Sequence, residues 1–139
     1  MIIDSGILYA LYDAKDEWHE RAKNLVVEAH SRREQFVIPA PVFVEIDYLA
    51  SGRHGMQNLT SKVLEDVARG AYRVAELTLF EYRRVAVLIE QYADADLGFV
   101  DAAVVAIAER LNERVIATTD RRDFSIVRPL HVTAFELVP

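Results

Sequence analysis

An α/β fold, with a mostly parallel sheet covered by helices on both faces, is what this sequence of 139 residues predicts. Three observations predict it. Short β-like apolar runs alternate with longer stretches of helical periodicity, the pattern of strand–helix–strand units. No Gly-, Pro- or Ser-rich linker and no internal repeat interrupts that alternation. Apolar residues make up 52% and charged residues 27%, enough for one packed core, so a single domain spanning residues 1–139 is expected.

The elements follow in order. Met1-Ile2-Ile3-Asp4 reads as a short buried strand, with Ser5 as N-cap of a helix over residues 6–12. Asp16 is placed to cap a second helix reaching Arg33, with Trp18, Ala22, Leu25, Val26 and Ala29 at helical spacing. Residues 35–40 (QFVIPA) form strand two, and Pro41 opens a third helix that runs to about Ser51. Residues 51–55 make a turn, residues 57–69 a fourth helix, and Gly70 stops it. Tyr72 to Leu77 is strand three. Thr78 then caps a long helix expected to face Leu79, Tyr82, Val85, Ala86, Leu88 and Ile89 inward. After the loop Asp94-Ala95-Asp96, a sixth helix covers residues 98–111. Arg114 to Thr118 is strand four, and His131 to Leu137 a last strand at the sheet edge. Connections of this kind are right-handed, and open parallel sheets bind ligands at the carboxyl ends of their strands, near a switch in strand order.

Composition excludes several classes of function. There is no cysteine, which removes disulfide scaffolds, zinc fingers, iron–sulfur clusters and cysteine nucleophiles. No apolar run approaches the roughly 18 residues that a membrane helix needs. The opening MIIDSGILYALYD has an acid at position 4 and no Lys or Arg before Lys15, so it reads as mature structure of a cytoplasmic protein. The net charge of −6 disfavours a nucleic-acid partner on balance alone. Yet 13 of the 16 basic residues are Arg, the better fork for phosphate and carboxylate.

Most of the 22 acids lie in polar stretches, but four interrupt apolar company. Asp4 ends the run from Met1 to Ile3. Glu45 breaks Val42-Phe43-Val44 from Ile46. Asp101 sits between Gly98-Phe99-Val100 and the stretch Ala102 to Ala108, and Asp120 follows Val115 to Thr119. A carboxylate where burial is expected is costly unless it is paired or coordinated. Asp4 and Asp120 fall just past strand ends, at the ligand edge. Glu45 and Asp101 fall about one turn into helices that start at the same edge. Four such charges in one crevice repel, and a hard divalent cation is the simplest compensation. None of His19, His30, His54 or His131 stands beside them, so oxygen-only ligation favours Mg²⁺ or Mn²⁺.

Each acid also has a purely structural use: Asp4 as a helix cap, Asp101 on a helix dipole, Asp120 capping the turn 120–123, Glu45 paired with an Arg. Around the four, Asp96 reads as a loop acid or an outer contact, Asp47 as solvated, and Asp123 as a turn residue or Arg partner. Ser5, Thr118 and Thr119 place hydroxyls near the site, to orient a carboxylate or to serve caps and ladders. Arg121 and Arg122, next to Asp120, suit either a phosphate backbone or a solvated turn. Trp18, Phe43 and Tyr48 read as core or interface aromatics, and His54 as a solvated turn residue.

At these residues the chain resembles PIN-domain ribonucleases, and within them VapC-type toxins of bacterial toxin–antitoxin pairs. The opening IIDSGILYALYD is similar to the family's first strand, acid and helix, and PAPVFVEIDYL to its second strand and glutamate helix. ADLGFVDAAVVAIAERL followed by VIATTDRRDF is the most specific part, in order and spacing. The family's acidic positions fall on Asp4, Glu45, Asp101 and Asp120, and Thr118 matches its hydroxyl residue two before the last acid. Gly6, where the family usually has a larger residue, is a departure. The resemblance implies a three-layer α/β/α domain and Mg²⁺- or Mn²⁺-dependent cleavage of single-stranded RNA such as tRNA or rRNA. It also implies homodimerisation and a small cognate antitoxin. On that reading an antitoxin lays an amphipathic segment near Trp18, Phe43 and Leu49, and Arg121, Arg122 and Arg53 grip the RNA backbone. Two rivals stay open at this point: an Asp-based phosphatase with Asp4 as nucleophile, and a non-catalytic module that binds a metal or partner through the acids.

Overall fold

The computed structural model describes residues 1–53 and 56–139. The chain runs β1 (Ile2–Ile3), α1 (Ser5–Tyr12), α2 (His19–Ser31), β2 (Phe36–Pro39), α3 (Val42–Ser51), α4 (Leu59–Ala68), β3 (Tyr72–Ala75), α5 (Leu79–Gln91), α6 (Phe99–Leu111), β4 (Val115–Ala117), α7 (Arg121–Ile126) and β5 (Glu136–Val138), with a 3₁₀ turn at Ala93–Ala95. The five strands form one all-parallel sheet in the order β3-β2-β1-β4-β5. From β1 the chain steps outward through β2 to β3, then crosses back to lay β4 on the other side of β1. That reversal puts the topological switch between β1 and β4.

Register carries the switch to the residues that follow. Ile2 pairs with Ile116 and Ile3 with Ala117, and the Asp4 amide donates to the Ala117 carbonyl at 2.9 Å. Asp4 and Thr118 therefore leave their strands side by side. Both strands are apolar because both sheet faces are covered. On one face α6 is buried from Ala102 through Ala108. Its small and β-branched side chains let the helix pass close to the sheet.

Several boundaries differ from the sequence reading. The first helix starts at Ser5, and Asp4, not Ser5, holds the extended N-cap position. The second starts at His19 because the Asp16 carboxylate accepts from the Trp18 amide at 2.8 Å and holds a turn there. It ends at Ser31, since Arg33 turns left-handed at φ 56°. Gly70, at φ 84°, ends α4 as expected. In α5 the inward residues are Glu81, Val85 and Leu88; Leu79, at 81% exposed, Tyr82 and Ala86 face solvent. The last strand is only Glu136–Val138, though it is an edge strand. The turn expected at residues 120–123 opens a helix, α7, and Asp120 caps it. Expected turn residues His54 and Gly55 lie outside the described residues.

Candidate active site

Asp4, straight after β1, is the most buried of the four acids at 4% exposed. Its carboxylate does not cap α1. Instead the Thr118 hydroxyl donates to Oδ2 at 2.9 Å, and Thr118 Oγ1 in turn accepts from the Asp120 amide at 2.9 Å. Thr118 is fully buried and so locks the ends of β1 and β4 together. Among the described residues, Asp4 Oδ1 is buried with no hydrogen-bond partner. Asp120 holds the N-cap of α7, where its Oδ1 accepts from the Arg122 amide at 3.0 Å and the Asp123 amide at 3.3 Å. Glu45 and Asp101 each lie in the first turn of their helices, α3 and α6. A Cβ on Gly98 would come within 3.1 Å of Asp101 Oδ2, so the glycine leaves that oxygen its room.

Asp4 and Asp101 feel the charges of the other acids. Burial raises the Asp4 carboxyl to about 6; the Ser5 amide and Thr118 hydroxyl oppose this, and the charges of Glu45 and Asp120 add to it. Asp101 is raised to about 7, first by burial and then by Asp4, Glu45, Asp123 and Asp120. These acids thus converge on one crevice with no cation among their causes of shift. The fit to a divalent cation rests on that: hard oxygen donors, mutual repulsion, and an orphaned buried oxygen on Asp4. Among the described residues no three His, Asp or Glu side chains form a ready-made chelate.

The other candidates divide. Ser5 is buried beside Asp4. Asp96 sits in a left-handed turn (φ 57°) and acts on Asp123, not on Asp4 or Asp101. Asp123 was undervalued: burial and the charge of Asp120 raise it, and it raises Asp101. Its signal, an acid three residues after Asp120, needs α7 to be recognised. The Arg121 guanidinium bonds the Pro139 carbonyl, so it is not free for the crevice. Arg53 lies over the Tyr9 ring. Arg122 is exposed and tempers Asp123. Asp47 accepts from Thr60 Oγ1 at 2.9 Å. Gly6 has a local reason: a Cβ there would meet Thr119 Oγ1 at 2.1 Å, so the threonine fills the space that a larger residue 6 would take.

The PIN domain family model matches residues 1–128, from β1 through α7, with all four acids of the crevice inside. The chain belongs to the PIN-domain family. A curated relative of this PIN domain is Ribonuclease VapC26 of Mycobacterium tuberculosis, 34% identical over the whole length of both chains. Among solved structures, M. tuberculosis VapC20, described as a sarcin–ricin loop cleaving toxin, superposes with a TM-score of 0.72 at 18% identity, covering 83% of this chain and 85% of that one. A toxin–antitoxin complex from Klebsiella pneumoniae gives 0.63 at 20% identity, covering 91% of each chain. VapBC2 of Rickettsia felis, bound to a promoter DNA fragment, gives 0.65 at 16% identity, covering 99% of this chain and 98% of that one. These likenesses fit a PIN fold with the same three layers.

Proposed function

We propose that the chain is a metal-dependent endoribonuclease, the toxin of a toxin–antitoxin pair, hydrolysing phosphodiester bonds in single-stranded RNA such as tRNA or rRNA. The relative of 34% identity, named a ribonuclease, supports the activity. The observation that carries the site is Asp4 Oδ1, buried without a partner among the described residues, on a carboxyl that the charges of Glu45 and Asp120 raise.

Asp4, Asp101 and Asp120 would hold Mg²⁺ or Mn²⁺, with Glu45 direct or through water. A bound ion supplies a water of lowered pKa and offsets charge on the phosphate. Thr118 fixes Asp4 Oδ2, and Oδ1, which has no partner among the described residues, is the oxygen that would serve a cation. Burial and repulsion raise the Asp4 and Asp101 carboxyls to about 6 and about 7, and a bound cation would favour their ionised forms. Hydrolysis then adds water across one P–O bond, with Arg122 on the flanking phosphate backbone. Each bound divalent cation also cuts the formal charge of −6 that would repel RNA.

The nuclease is one domain over residues 1–139 and works in the cytoplasm. Among its described residues no helix is long and apolar enough to cross a membrane. An antitoxin partner is supported by the toxin–antitoxin complexes among the structural neighbours. Its segment enters the cavity of about 250 Å³ lined by Trp18, Leu49, Gly6 and Thr119, beside the crevice; Phe43 is not in that lining. A homodimer is supported by the apolar side chains Leu79, Phe80 and Val87, which α5 turns to solvent. Incubation of the protein with total RNA, with Mg²⁺ or with EDTA, tests the reading: new 5′ ends appear only with the metal. No new ends in either condition would falsify it.

A further inference from the structure

We infer that the apolar cavity above β2 and β3 is a nucleobase subsite, which takes the base next to the scissile phosphate. The inference rests on the ribonuclease reading above and names how that site would select its substrate.

The C-terminal edge of the sheet is divided into two halves. Above β1 and β4 it carries Asp4, Thr118 and Asp120. Above β2 and β3 it carries a cavity of about 290 Å³ whose lining is mostly apolar, Pro41, Val44, Leu77, Tyr82, Phe99 and Val100, with Glu76 as its one charged residue among the described residues. Two of these residues share backbone with the acids. Val44 precedes Glu45 on α3, and Val100 precedes Asp101 on α6. Neighbouring residues on a helix point roughly 100° apart. Each helix therefore offers an acid to the crevice and an apolar neighbour to the cavity, so the two recesses open next to each other.

A nucleotide has the same two halves. Its phosphodiester is anionic and needs the crevice and its cation. Its base is flat, with apolar faces. Proteins that read single-stranded RNA splay bases out and stack them on aromatic side chains. Tyr82 and Phe99, at 53% and 47% exposed, supply two such rings at the cavity. The volume is near the lower end for small-ligand sites. It holds one base, whereas an amphipathic helix, about 10 Å across, needs a long groove. An RNA strand laid along the sheet edge would thus put phosphate over β1 and β4 and base over β2 and β3.

The test uses the full-length protein and single-stranded oligoribonucleotides with Mg²⁺. Wild type is expected to prefer one base class at one position beside the cut. Phe99→Ala and Tyr82→Ala each lower kcat/KM about 10- to 100-fold on the preferred sequence and flatten that preference. A substrate with an abasic residue at that position is cut equally by wild type and variants. A second readout needs no cleavage. In an Asp101→Asn background, oligonucleotides carrying 2-aminopurine at each position in turn lose fluorescence at one position, and adding Phe99→Ala restores it. Unchanged preference and unchanged quenching in the folded variants overturn the subsite. A change in solution mass with unchanged preference also overturns it and assigns the cavity to a second copy of the chain. If wild type cuts no RNA with Mg²⁺ or Mn²⁺, the ribonuclease reading fails, and the 2-aminopurine measurement alone decides whether the cavity takes a base.

Discussion

Buried acids occur in two regions of this molecule, and they are treated in opposite ways. Between α5 and α6, each has a cation in place. Glu81 closes a capping box by accepting from the Thr78 amide at 2.7 Å, and also pairs with Arg110 at 2.9 Å. Glu109 takes a two-pronged bond from Arg84, both distances 2.8 Å, and accepts from the Leu130 amide at 2.9 Å. At the β1–β4 edge, the charged groups among the described residues that shift Asp4 and Asp101 are all acids. Burial pushes Glu81 up, but Thr78 and Arg110 outweigh it and hold the carboxyl below its ordinary value. Burial pushes Asp4 and Asp101 up, and nothing cationic opposes it. The lesson is that burial alone does not separate these acids; the presence or absence of a cation beside them does.

Four experiments would break or sharpen that contrast. The largest effect is expected from Asp101→Asn: RNA cleavage drops at least about 100-fold, while the metal-free protein melts at the same or a higher temperature above pH 7. A lower melting temperature would place Asp101 with the structural acids. Glu109→Ala does the reverse, because it strands a partly buried guanidinium and the Leu130 amide. It costs about 1–3 kcal/mol in urea unfolding and leaves cleavage by the folded fraction intact. Thr118→Val removes the donor to Asp4 Oδ2, and titration calorimetry should show divalent-cation affinity down about tenfold.

The smallest effect is a matter of sign with pH. Asp4 and Asp101 have raised values, so their contribution is fully present below the ordinary 3.8 and is lost as pH climbs through about 6 and 7. Glu81 has a lowered value, so its contribution is present above the ordinary 4.5 and is lost as pH falls below it. Melting curves of the metal-free protein between pH 4 and 8 should therefore decline toward the alkaline side. Asp101→Asn should flatten that decline, and Glu81→Gln should leave it in place. A decline unaffected by Asp101→Asn would remove this residue from the crevice electrostatics.

The four acids were legible because each breaks an apolar run, and a strand edge or first helical turn fixes where such a residue can sit. The sheet was legible for the same reason: β1, β2 and β4 are continuous apolar runs that only burial on both faces explains. Other features could not be read. Leu79, Tyr82 and Ala86 have helical spacing, yet they face solvent; periodicity defines a stripe without saying what covers it. The helix α7 is six residues long, too short for any period, so Asp123 was left outside the site. The bond from Arg121 to the terminal Pro139 carbonyl joins distant positions that no local pattern connects.

One consequence follows from where β4 lies. Asp4 is made 114 residues before Thr118, the residue that fixes its Oδ2. A chain still being translated has its opening strand but lacks that strand's inner neighbour. The crevice around Asp4 therefore takes shape only after the β4 segment has been made and has paired with β1.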